Sequence, residues 1–140
     1  MASPSWVLDT SVAAAWFFTD EPLRDQALAV RALLRDDPDS FVVPALFHSE
    51  LVHVLARKSG RDETFSRSAL ELVLRLGIRT LHLSGEALLR SVHWACRGLG
   101  GYDSTFVALA EDLGARWLTA DDRAARAAGK LAAPLRTWRG

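Results

Sequence analysis

Cysteine is nearly absent from this chain. Cys96 stands alone, which excludes an internal disulfide and suits a reducing compartment. Its apolar neighbours Val92, Trp94 and Ala95 make a small core residue the plain reading. Lysine is scarce too, with only Lys58 and Lys130 among 17 basic residues. Arginine suits bidentate phosphate contacts, but a GC-rich genome accounts for the bias more simply. Seventeen acidic residues balance the charge, so no global field draws in nucleic acid. No apolar run approaches the roughly 20 residues that span a bilayer. The opening Met1-Ala2-Ser3-Pro4-Ser5 holds no basic residue, and Asp9 interrupts the first apolar stretch, so no export signal is read. The expectation is a soluble, cytoplasmic protein with no membrane segment.

What is present is a core. Apolar residues make up 49% of 140 positions, enough for one domain over residues 1–140 and too many for disorder. Strand-like and helix-like segments alternate. Strands are expected at 6–8, 41–43, 79–83, 116–119 and 135–137. Helices are expected at 11–18, 22–35, 45–58, 62–76, 84–97, 102–113 and 122–128, with a flexible break at 98–101. There is no repeat, linker or low-complexity segment. Short apolar strands separated by helices indicate an α/β sandwich, a parallel sheet covered by helices. In such sheets ligands bind beyond the carboxyl ends of the strands, where strand order reverses.

Four acidic residues fall at that edge. Asp9 follows Trp6-Val7-Leu8, and Asp121 follows Trp117-Leu118-Thr119-Ala120, so both stand at strand exits. Glu50 lies within the apolar stripe Leu46, Phe47, Leu51, Val54, Leu55, and Asp103 shares a helix face with Phe106, Val107 and Ala110. A helix that precedes a parallel strand runs back down the sheet, so a helix over 102–113 starts Asp103 at the same rim. Each residue has an ordinary reading. Asp9 and Asp121 can cap the helices that follow them, Asp103 can meet a helix dipole, and Glu50 can reach out from the edge of its stripe. Those readings do not explain the convergence. Two carboxylates about 5 Å apart repel by roughly 3 kcal/mol at an effective dielectric near 20, and four call for a cation. Oxygen-only ligands select Mg²⁺ or Mn²⁺ over zinc. Such an ion suits phosphodiester hydrolysis by an activated water.

The stretches Val7-Leu8-Asp9-Thr10-Ser11, Ser49-Glu50-Leu51-Val52-His53-Val54-Leu55, Tyr102 to Ala110, and Leu118-Thr119-Ala120-Asp121 resemble the PIN-domain nucleases, and within them the VapC-type toxins of toxin–antitoxin pairs. Asp-Thr-Ser alone is a weak motif; the stretch from Tyr102 through Asp121 is specific. The resemblance implies a PIN-like three-layer sandwich whose parallel sheet has the order 3-2-1-4-5. It implies that Asp9, Glu50, Asp103 and Asp121 are the catalytic quartet holding Mg²⁺ or Mn²⁺, with Asp9 and Asp103 the most direct ligands. Ser11 and Thr119 would orient these carboxylates, as metal sites require. The implied function is a metal-dependent endoribonuclease with an RNA substrate, a small cognate antitoxin and a homodimeric state. Two alternatives stand beside it: a catalytically silent PIN-like module that binds RNA or protein, and a PIN nuclease of RNA maturation or decay. Asp122 follows Asp121 directly, so either or both can supply the fourth ligand; Asp121 is favoured by its place after Thr119-Ala120, and Asp122 reads as the helix cap.

The remaining features read more plainly. His48, His53, His82 and His93 show no ligand spacing and are taken as surface or edge residues. Trp6, Trp16, Trp94 and Trp117 read as core, while Trp138 near the C-terminus is a candidate exposed aromatic for a partner interface. Arg57, Lys58, Arg61 and Arg67 are either a solvated helix end or the flank of an RNA groove. Lys130 is not at a strand end, against a phosphoacceptor receiver. Ser11 occupies the position where a haloacid-dehalogenase-type phosphatase needs a second aspartate.

Overall fold

The computed structural model describes residues 3–100 and 102–140. Five short strands are β1 (Trp6–Leu8), β2 (Phe41–Pro44), β3 (Arg79–Leu81), β4 (Arg116–Thr119) and β5 (Ala132–Pro134). They form one parallel sheet in the order β3-β2-β1-β4-β5, the order that the resemblance implies. Among the described residues seven α-helices accompany it: α1 (Thr10–Ala14), α2 (Arg24–Asp36), α3 (Leu46–Lys58), α4 (Glu63–Arg75), α5 (Gly85–Ala95), α6 (Asp103–Leu113) and α7 (Asp122–Ala128). Successive strand residues point to opposite faces. Val7, Leu8, Phe41, Val42, Val43, Trp117 and Leu118 are all fully buried, so helices cover both faces of the sheet and the molecule has three layers.

The register sets the site. Leu8 pairs with Leu118 across β1 and β4, and the chain continues the match by one step as Asp9 N–H donates to Leu118 O at 2.9 Å. The path leaves β1 toward β2 and β3, then returns to build β4 and β5 on the other side. The reversal therefore lies between β1 and β4, and an aspartate follows each strand there, Asp9 directly after β1 and Asp121 after Ala120. Gly114 closes α6 at φ 64°, a left-handed conformation that favours glycine, and it turns the chain straight into β4. The buried indole of Trp16 donates to Ala27 O at 2.8 Å and ties the segment after α1 to α2.

Several expectations need correction. The last strand is Ala132–Pro134, and residues 135–137 form a 3₁₀ turn instead. Alanines have low strand propensity, and the segment is recruited only by pairing with β4. Helix α1 stops at Ala14 and strand β3 at Leu81, both shorter than expected. Cys96 is exposed, because α5 packs mainly through Ala87 and the cysteine follows past its end. Trp6 and Trp94 are half-buried at the edge of the core. Trp138 does not stand free: its ring meets Trp6 edge-on at 5.9 Å. Gly101, at the end of the expected break, lies outside the described residues. Among the described residues no helix is long and apolar enough to cross a membrane.

Candidate metal centre

Asp9 is the anchor of the site. It caps α1, accepting from Ser11 N–H at 3.1 Å. The same oxygen, Oδ2, also accepts from Ser11 Oγ at 2.5 Å and from Thr119 Oγ1 at 3.3 Å. The other oxygen, Oδ1, accepts from Trp117 Nε1 at 3.2 Å. Behind this carboxylate the hydroxyls are themselves fixed. Ser11 Oγ accepts from Ala120 N–H at 3.0 Å, and Thr119 Oγ1 accepts from Asp121 N–H at 3.1 Å. The ends of β1 and β4 are thus stitched through one carboxylate and two hydroxyls.

The other acids stand around it. Burial pushes the Asp9 carboxyl above its usual range, against the hydrogen bonds from Ser11, Trp117 and Thr119 that pull it down. Glu50 on α3 is half-buried, and burial, then the charges of Asp9 and Asp103, raise it to about 7. Asp103 opens α6 and rises to about 6 through burial, then through Asp9 and Asp121. Glu50 and Asp103 therefore feel the charges of Asp9 and of one further acid each, which links the four residues electrostatically. Asp9, Glu50 and Asp121 line a cleft of about 430 Å³ that also meets Glu21, Arg57 and Lys58.

The two adjacent aspartates separate here. Asp121, not Asp122, is the cap of α7: its Oδ1 accepts from Ala124 N–H at 3.0 Å. Asp122 is the first residue inside the helix and pairs with Arg136 Nε at 2.9 Å. The expected assignment of the cap is reversed because Asp121 keeps an extended backbone (ψ 100°), the conformation a cap requires. Capping engages one oxygen of Asp121, which lines the cleft, whereas Asp122 is paired with Arg136.

The donor set suits a hard divalent cation. It is all carboxylate oxygen, and Glu50 Oε1 is buried with no hydrogen-bond partner, an orphan acceptor that a cation would satisfy. Among the described residues no three potential ligands already stand as a closed coordination cluster, so the acids share a rim rather than a finished cage.

Trp117 is the residue whose part the sequence concealed. It reads as core, and it is fully buried, yet its N–H is one of the donors that hold Asp9. The signal was its spacing: Trp117 and Thr119 are two apart in a strand and face the same way. Trp117→Phe keeps the ring and removes the donor, so we expect a loss of about 1–2 kcal/mol in urea unfolding. An unchanged midpoint would show that the indole only packs.

A family model for the PIN domain matches residues 6–130. The chain belongs to the PIN-domain family. Its fold resembles the crystal structure of Mycobacterium tuberculosis VapC20, described as a sarcin-ricin loop cleaving toxin, with a TM-score of 0.67 and 20% identity over 88% of this chain and 95% of that one. It also resembles PAE2754 from Pyrobaculum aerophilum, with a TM-score of 0.70 and 19% identity over 96% of this chain and 91% of that one. No curated protein matches the sequence. Within this PIN fold, the acid cluster occupies the carboxyl edge of the sheet, at the β1–β4 reversal.

Proposed function

We propose that this PIN-domain protein is a Mg²⁺- or Mn²⁺-dependent endoribonuclease and the toxin of a toxin–antitoxin pair. The observation that carries the reading is the buried Asp9 carboxylate, gripped by Ser11, Thr119 and Trp117, whose charge acts on Glu50 and Asp103 and which shares its cleft with Asp121. A fold has no structural need for such a cluster. Asp9 and Asp103 would hold the ion most directly, with Glu50 and Asp121 completing the set directly or through water. Bound there, the ion would supply an activated water and stabilise charge on the leaving oxygen.

The protein's own groups prepare this chemistry. Ser11 and Thr119 fix Asp9 so that its geometry is set before substrate arrives. Burial and neighbouring charge raise Glu50 to about 7 and Asp103 to about 6, so a cation held there would compete with protons for these oxygens. Arg57 and Lys58 stand on the same cleft, cations suited to substrate phosphates. Of the basic group read from the sequence, Arg61 and Arg67 instead line a neighbouring groove between α3 and α4.

The partners follow from the same reading. The VapC20 neighbour is described as cleaving the sarcin-ricin loop, which supports a structured RNA as substrate. A small antitoxin would cover the cleft. Helix α5 exposes Leu88, Leu89 and Val92, spaced to share one face. An uncovered apolar face of this kind fits a homodimer contact.

Cleavage of structured RNA by the purified protein, with Mg²⁺, Mn²⁺ or EDTA, tests the reading. We expect cutting with either metal and none with EDTA. Metal binding without cutting of any RNA, after rigorous removal of antitoxin, would instead favour a PIN-like binding module.

A further inference from the structure

The cleft continues past Lys58 into a second depression of about 310 Å³, formed by Phe17, Phe18, Asp20, Lys58, Asp62 and Phe65 among others. Three side chains organise it. Phe18 and Phe65 meet at 5.6 Å between ring centres, tilted by 46°. Lys58 Nζ stands 4.8 Å from the Phe18 ring centre and is paired with Glu21. Lys58 is the last residue of α3 and borders both hollows, so the acid cluster, the ammonium and the aromatic pair form one continuous track.

The local structure holds this arrangement in place. Asp62 caps α4 by accepting from Phe65 N–H at 3.0 Å, which sets the helix turn that presents the Phe65 ring. Ser59 Oγ accepts from Asp62 N–H at 3.1 Å, linking that cap to the end of α3. Phe65 is 37% exposed, although a phenylalanine gains by burying its ring. Glu21 uses one of the three ammonium donors of Lys58 and leaves two. It thereby pins the charge at the boundary between the hollows.

We propose that this depression is a nucleobase subsite. It takes one unpaired RNA nucleotide beside the scissile bond, with the base against Phe65 and Phe18 and the adjoining phosphate on Lys58. The charges divide the ligand in this way. The carboxylates of Asp20 and Asp62 border the aromatic hollow and repel a phosphate, so a neutral base is the part that fits there. Lys58 and Arg57 lie on the side of the metal cleft, where a phosphate must pass. An aromatic platform beside a cation is the arrangement by which proteins bind single strands, and the requirement for an unpaired base would direct the enzyme to loops. The inference rests on the nuclease reading and deepens it.

The test uses the Asp103→Asn protein with Mg²⁺ and a short single-stranded RNA carrying one fluorescent adenine analogue, moved stepwise along the strand. We expect quenching at one position next to the bond that the unmodified protein cuts. Phe65→Ala should abolish that quenching and weaken binding about tenfold, and Phe65→Trp should restore both. In the otherwise unmodified enzyme, Phe65→Ala should raise KM more than it lowers kcat, and an abasic nucleotide at that position should erase the difference. Phe65→Trp also guards against misfolding, since a folded Trp variant that fails to quench counts against the subsite. Metal-dependent cutting that is indifferent to Phe65→Ala and Lys58→Ala would overturn the subsite and leave the nuclease standing. Failure to bind or cut any RNA would overturn both.

Discussion

Asp103→Asn should lower RNA cleavage at least a thousandfold while leaving the protein folded, and in metal-free buffer slightly more stable. The amide keeps the size of the side chain but removes a charge. Asp103 sits among Asp9 and Asp121, and burial plus their charges hold its carboxyl at about 6. Losing that charge at pH 8 relieves repulsion and desolvation together. Partial exposure screens the gain, so roughly 1 kcal/mol, or about 4 °C in Tm for a chain of this size, is the expected scale. Asp9→Asn should also abolish cleavage. Its side chain caps α1 and accepts from Ser11, Trp117 and Thr119, so the amide gives back more of the relief through lost hydrogen bonds. Calorimetry beside a cleavage assay separates the outcomes. A folded, stabilised and inactive Asp103→Asn protein supports the metal site. A variant that loses its fold shows that the carboxylate served α6 instead.

The second large effect is a reversal of the usual dependence of stability on pH. Most folded carboxylates titrate below their unfolded values, and acid then destabilises the protein. Glu50 and Asp103 do the opposite. Their folded values, about 7 and about 6, lie above the ordinary 4.5 and 3.8, and Asp9 shifts in the same direction. The folded state therefore binds more protons than the unfolded state between about pH 4 and pH 7. Their contribution is complete below the unfolded values and is lost as pH rises through the folded ones. In EDTA, Tm should fall by about 5 °C or more between pH 5 and pH 8. Millimolar Mg²⁺ should recover the loss at pH 8 and do little at pH 5, where protons compete for the same oxygens. Glu50→Gln should flatten much of the metal-free profile. Equal stabilisation by Mg²⁺ at both pH values would separate the cation from these carboxylates.

The aromatic subsite changes how substrate choice should be sought. The acid cluster is indifferent to base identity, because it acts on the phosphodiester. Selectivity has to come from neighbouring surfaces, and Phe65 with Lys58 forms one of the surfaces contiguous with the cleft. Exchanges at Phe65 should therefore alter which loop is cut before they alter whether cutting occurs.

The amino-acid sequence by itself determined the layer architecture and the candidate acids. Alternation of short apolar strands with helices is a local signal, and strand exits at Asp9 and Asp121 follow from it. Glu50 and Asp103 showed because a carboxylate on an apolar stripe is costly, a rule that needs no coordinates. The sheet order came through the resemblance and agrees with the observed pairing. Other features were settled only in three dimensions. The strand Ala132–Pro134 exists because β4 supplies partners that alanine propensity does not announce. Asp121 took the cap from Asp122 because the turn after β4 leaves it extended, while Arg136 captures its neighbour. Trp117 serves Asp9 because the β1–β4 register brings an indole N–H 3.2 Å from a carboxylate 108 residues away. Phe18, in the segment between α1 and α2, meets Phe65 of α4 in the same way. Propensity and periodicity report on neighbours in the chain, whereas hydrogen-bond donors and ring partners are chosen by distance in space, and only the packed sheet fixes those distances.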